Sequence, residues 1–383
     1  MSSKELESDI SIANPDVVAK YKVGGNISNH AIETVRAAVK EGAKVFDLCE
    51  LGDKTMTDAL RSSVGKKISK GIAFPTCVNP NNIPAHCSPE NSQDETNFTL
   101  KNGDVVNIML GVQIEGYPAI IAETLVVGES ADSPVTGQKA DLLHSAWNAS
   151  EAAIRLLKPG NKNWEITNTV DKIAKSFGTS AVQSMLSHNM EKDVLYGSKE
   201  IILNPSKEHK NQVETYVFKE SEVYGLDILI STSGEGKVKK SKYRTTLHKL
   251  TGNNYSLRLK TSQDALKQFR EKVTGPFPAN VKIFDEPRKV RVGLIECSNH
   301  EVVLPYDIME DKSSEFIAQY FTTVAITPEG LVKLTSPGFN DTFYRTEKKL
   351  EDEEILSLIA TPLPPQGKNK KKKKKQNVAS QPE

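Results

Sequence analysis

No run of about 18 consecutive apolar residues occurs in this chain, so a membrane-spanning helix is not expected. The opening residues, MSSKELESDISIANPD, are polar and acidic and lack the apolar core of a secretory signal. Cysteine is scarce. Cys49, Cys77, Cys87 and Cys297 form neither a CxxC pair nor a dense, even framework. That argues against a disulfide scaffold and for reduced thiols in a cytosolic or nuclear protein. Zinc-finger, helix-turn-helix and RNA-recognition signatures are also missing, so no familiar nucleic-acid-reading module announces itself.

What is present begins with apolar material. A chain of 383 residues, 37% hydrophobic, can bury a sizeable core in one large domain or two. The charge is unevenly spread. The segment from Gln366 onward carries seven lysines (Lys368, Lys370, Lys371, Lys372, Lys373, Lys374 and Lys375) against one glutamate. With a net charge of +1 for the whole chain, the remaining body is acidic, at −5. A mildly acidic body with a concentrated basic tail is a polyanion-binding arrangement. After Pro362 the Pro-, Lys-, Asn- and Gln-rich composition cannot bury enough apolar surface to order itself, which predicts a disordered tail over 362–383.

The most regular stretch is Gly103–Gly128, two β-branched runs (Val105–Ile114 and Ala119–Val127) joined through Glu115-Gly116-Tyr117-Pro118. It reads as a hairpin in which Gly116 supplies positive φ and Pro118 breaks the ladder at the turn. After an arm over 1–14, helical spacing from Asp16 to about Lys40 is interrupted by Gly24-Gly25, a kink or a tight approach. Further helices are predicted over Ala43–Arg61, Lys139–Leu157, Trp164–Phe177 and Ser262–Val273, and a strand over Glu222–Leu229.

Around the hairpin stand short motifs in a fixed order: Gly71-Ile72-Ala73-Phe74-Pro75-Thr76, Asn81-Asn82, then Pro84-Ala85-His86. Met185-Leu186-Ser187-His188, the Glu222–Leu229 strand and Ala318–Thr323 follow. This order resembles the type 2 methionine aminopeptidases and their pita-bread relatives. The resemblance implies an α+β fold over 15–361, a pseudo-symmetric curved antiparallel sheet backed by helices. It also implies five metal-ligand positions, which here hold Met109, Ile120, His188, Asp227 and Phe321. A thioether, a hydrocarbon and a phenyl ring cannot replace hard oxygen ligands, so no metal and no cofactor are expected. His86 keeps a pocket-wall position, whereas a second pocket histidine is replaced by Tyr196.

Tyr21-Lys22-Val23-Gly24-Gly25, Ser233-Gly234-Glu235-Gly236-Lys237 and the lysine-rich end resemble the proliferation-associated branch of these proteins, which includes a curved-DNA-binding member. Typical members of the branch keep the first hairpin aspartate, which is lost here. The branch implies a non-enzymatic protein that binds nucleic acid, curved or structured DNA first and ribosomal RNA or the ribosome as a near equal. Lys237, Lys239, Lys240, Lys242 and Arg244 are the candidate contacts on the body, and Lys368 with the run Lys370–Lys375 those on the tail. A minor alternative is a metal-independent hydrolase of the creatinase type using His86, His188 and Asp227. Protein partners are expected at the old pocket and none in a membrane. The expected location is the nucleus, nucleolus included, with a cytoplasmic fraction.

Overall fold

The computed structural model describes residues 10–363. The tail expected to be disordered over 362–383 therefore lies outside the described residues, apart from its first two positions. Asn14 starts the first helix by accepting a 3.0 Å bond from the Asp16 amide, with Pro15 in the first turn. This helix, α1 (Pro15–Ala38), runs unbroken through Gly24-Gly25. The pair is therefore a close approach and not a kink: a Cβ on Gly25 would lie 1.9 Å from the Leu334 carbonyl oxygen. Ahead of α1, the described part of the arm is docked. Ile12 is buried, and the Tyr117 hydroxyl donates to the Ile10 carbonyl.

Helix α2 (Val45–Ser63) leads into β1 (Lys70–Pro80), β2 (Val105–Ile114) and β3 (Tyr117–Val126). The hairpin closes through two residues, Glu115 (φ 51°) and Gly116 (φ 88°), the doubly left-handed turn that suits strand twist. Pro118 is not in the turn, contrary to the expectation above; it lies inside β3 opposite Gln113. At the strand's first turn-proximal positions a missing amide donor costs the ladder least.

Two helices, α3 (Gln138–Leu156) and α4 (Asn163–Ser176), precede β4 (Met185–Met190), β5 (Glu200–Leu203) and β6 (Glu222–Ser231). Then come β7 (Lys239–Lys240), β8 (Leu247–Leu250), helices α5 (Lys260–Lys272) and α6 (Pro287–Asn299), β9 (Val303–Tyr306) and β10 (Met309–Glu310). The order ends with β11 (Ile317–Thr327), β12 (Gly330–Lys333) and helix α7 (Glu353–Ala360).

The main sheet runs β1-β2-β3-β11-β6-β4-β5, with β12 added alongside β11. Strands from both halves of the chain thus share one sheet, joined where Phe321 and Thr322 pair with Ala122 and Ile121. Period-2 alternation sends the two faces to different work. Ile108, Leu110 and Val112 of β2 pack with α1 and α2, and Leu226, Ile228 and Ile230 of β6 pack with α3 and α4. The opposite face carries Met109, Ile120 and Phe321 in a separate cluster with Phe74, Leu195 and Tyr306. The helix pair α5–α6 has its own core, built on Phe269, Leu294 and Cys297.

Candidate functional site

On the face of the sheet away from α3 and α4, a cavity of about 220 Å³ is bounded by residues from strands distant in sequence. One row crosses four strands: Met109 on β2 opposes Ala122 on β3, which opposes Phe321 on β11, which opposes Asp227 on β6. Ile120 lies two residues from Ala122, on the same face, and His188 on β4 pairs with Gly225. The structure brings together Met109, Ile120, His188, Asp227 and Phe321, and His86 and Tyr196 also border the cavity.

The donor set does not fit a pair of divalent ions. Phe321 packs its ring so closely on β6 that a Cβ on Gly225 would meet its Cζ at 2.5 Å. Of the five positions only Asp227 and His188 carry ligand atoms, and neither is free of protein partners. Asp227 Oδ1 accepts a 2.8 Å hydrogen bond from Gln319 Nε2, which also lies 3.8 Å from the Met109 sulfur. Burial pushes the Asp227 carboxyl up to about 7, against the opposing effect of the Gln319 bond. No second carboxylate lines the cavity beside it among the described residues, so nothing there can bridge a pair of ions. Nor is any group of three or more His, Cys, Asp or Glu among those residues arranged to hold a metal ion.

Each histidine points its Nδ1 at a backbone carbonyl. His86, at φ 71°, places Nδ1 3.0 Å from the Asp307 carbonyl, and His188 places Nδ1 3.2 Å from that of Gly197. A ring nitrogen facing a carbonyl must carry the proton, which leaves Nε2 as the lone-pair side. Burial lowers the pKa of both rings, with the carbonyl bonds opposing it. Among the described residues no hydrogen bond links His86, His188 and Asp227 to one another, so the three form no proton relay. Tyr196 does not act as a histidine would. Its hydroxyl is 2.7 Å from that of Tyr306, and its ring stays part-exposed at the cavity's edge.

Gln319 and Tyr306 were not among the residues singled out from the sequence. Gln319 could have been: it lies two residues before Phe321 and so on the same face of β11. Tyr306 lies far from any motif, and no local signal marks it.

The basic loop is less bare than expected. Lys239 and Lys240 form β7, paired with β10, and the loop's cations mostly have carboxylate partners. Lys237 meets Glu235 (2.8 Å), Lys239 meets Glu310 (3.6 Å), Lys240 meets Asp307 (2.7 Å) and Arg244 meets Glu90 (3.9 Å). Lys242 lies over the Tyr243 ring. The expected tail contacts, Lys368, Lys370, Lys371, Lys372, Lys373, Lys374 and Lys375, fall outside the described residues.

Residues 19–230, more than half of the chain, match metallopeptidase family M24. The chain belongs to that family. Within M24 it is 42% identical to the curved DNA-binding protein of Schizosaccharomyces pombe, over the full length of both chains. It is 37% identical to proliferation-associated protein A of Dictyostelium discoideum, covering 92% of this chain and 90% of that one. The solved structure of a thermophilic Arx1 superposes with a TM-score of 0.85 at 30% identity, over 91% of this chain and 99% of that one. A methionine aminopeptidase from Thermotoga maritima shares the fold at 16% identity, with a TM-score of 0.57 over 85% of this chain and 99% of that one. This M24 chain therefore has the pita-bread fold and sits in the curved DNA-binding and proliferation-associated branch.

Proposed function

We propose that this M24 chain is a non-enzymatic nucleic-acid-binding protein whose ligand of choice is curved or structured DNA. The observation that carries the reading is full-length similarity, at 42% identity, to a protein named for binding curved DNA. The cavity supports the non-enzymatic part. The residues at the old ligand positions cannot hold a metal pair to activate water, and His86, His188 and Asp227 are not hydrogen-bonded to one another among the described residues. The lysines of 368–375 support the polyanion part, since they offer point charges to phosphate without reading bases. Shape preference then belongs to the rigid body, because an already curved duplex removes part of the bending cost. The same lysine run suits nuclear import, and the nucleus is the location we propose.

The test is a pull-down from nuclease-treated and untreated lysate, with sequencing of the bound nucleic acid. Recovery of phased A-tract or other curved DNA is the expected result, and exclusive recovery of ribosomal RNA would move the reading to a ribosome-binding protein. Alongside it, cobalt or manganese added to the protein should give no methionine release from a Met-Ala-Ser peptide. Release at a rate proportional to protein concentration would overturn the non-enzymatic reading.

A further inference from the structure

The loop at 235–244 combines a fixed backbone with exposed cations. Asn204 Nδ2 donates to the Glu235 carbonyl (2.9 Å), the Gly236 amide donates to Ser233 Oγ (3.0 Å), and the Ser241 amide donates to the Ile308 carbonyl (2.9 Å). The β7–β10 ladder holds the middle. On this frame Lys237, Lys239 and Lys240 remain 62%, 77% and 65% exposed, each facing a carboxylate of the same molecule. With these three cations answered locally, the loop's attraction for a distant polyanion is reduced. Yet each pair is weak, since solvent screens exposed ion pairs and two long side chains must be held in place. A phosphate backbone also releases condensed counterions on binding, which the resident carboxylates do not.

We infer that this loop is a self-masked phosphate site: Glu235, Asp307 and Glu310 occupy the phosphate positions in the free protein, and a nucleic acid engages the loop by displacing them. This rests on the nucleic-acid reading above. It predicts that removing the masking charges strengthens binding, by about 1.4- to 5-fold for each exposed pair broken. Asp307 is left intact in the test, because its carboxylate also holds Thr245 and its carbonyl holds His86.

The experiment uses the full chain and filter binding to a phased A-tract duplex. The double variant Glu235→Gln/Glu310→Gln should bind about 2- to 20-fold more tightly than the unaltered protein. A charge-matched control, Glu41→Gln/Glu329→Gln, alters exposed acids that enter no ion pair among the described residues and should gain less than about twofold. In a Lys237→Gln/Lys239→Gln/Lys240→Gln background the gain should vanish. An equal gain in the control, a gain that persists without the lysines, or no gain at all would each overturn the inference. If the unaltered protein binds and the lysine variant binds equally well, only the masked-loop inference falls. If the folded, unaltered protein binds no nucleic acid, the functional reading falls with it.

Discussion

At Asp227 a carboxyl group lies in an apolar cavity with one amide, that of Gln319, as its hydrogen-bond donor from a side chain. Its pKa is raised from 3.8 to about 7, chiefly by burial. A carboxyl that titrates higher when folded binds more protons in the native state, so it costs stability as pH rises. The loss begins above the unfolded pKa and is complete above about 7, for a total on the order of 4 kcal/mol. Replacing it with Asn keeps the shape and removes the charge. The stability difference between Asp227→Asn and the unaltered protein, from urea unfolding, should therefore move in the variant's favour by about 3–4 kcal/mol between about pH 4 and pH 8. A difference that stays flat across that range would mean the carboxyl is already well solvated or paired.

Helix α1 shows how one element is matched to another by the absence of a side chain. Gly25 meets the Leu334 carbonyl just beyond β12, and Gly24 meets the Ala119 methyl on β3 at a tolerable 3.3 Å. In an isolated helix, alanine at either site would add about 1 kcal/mol over glycine. At Gly25 the added methyl would run into backbone, and overpacking of that kind costs about 1–3 kcal/mol or more. Gly25→Ala should thus destabilise the protein by about 2 kcal/mol net, whereas Gly24→Ala should be close to neutral. Denaturant midpoints compared at constant slope decide it, and a stabilised Gly25→Ala variant would show that the helix can lift off the strand.

At the scale of the whole molecule, the described chain ends on the side of the sheet opposite the cavity. Its last residues are tied to the helical layer, where Arg155 Nε on α3 donates to the Thr361 carbonyl (2.8 Å). The lysine run follows in the sequence, and its removal tests the polyanion reading. Deleting everything after Gly367 should flatten the slope of log K against log salt by about 3–5 units, at about 0.9 per phosphate no longer neutralised. Preference for curved over straight duplex should survive, because lysine point charges sense phosphate density and a rigid body senses shape. An unchanged slope would reduce the segment to a localisation signal. Loss of the preference would take the shape-reading role away from the body.

Much of the site was legible in the chain itself. The order of the motifs and its resemblance to the type 2 methionine aminopeptidases implied which residues would border one cavity, and Met109, Ile120 and Phe321 were visibly unsuited to hold metal. Charge asymmetry between body and tail was equally plain. These properties follow from residue identity and motif order, which the linear chain carries in full. The pairing of Gln319 with Asp227, the Tyr196–Tyr306 contact and the placing of Pro118 inside β3 emerged only on folding. So did the carboxylates that answer the basic loop, since Asp307 and Glu310 lie far along the chain from the lysines they meet. Desolvation and ion pairing depend on which distant segments share a few ångströms of space, and that is decided by tertiary packing and not by neighbours in sequence.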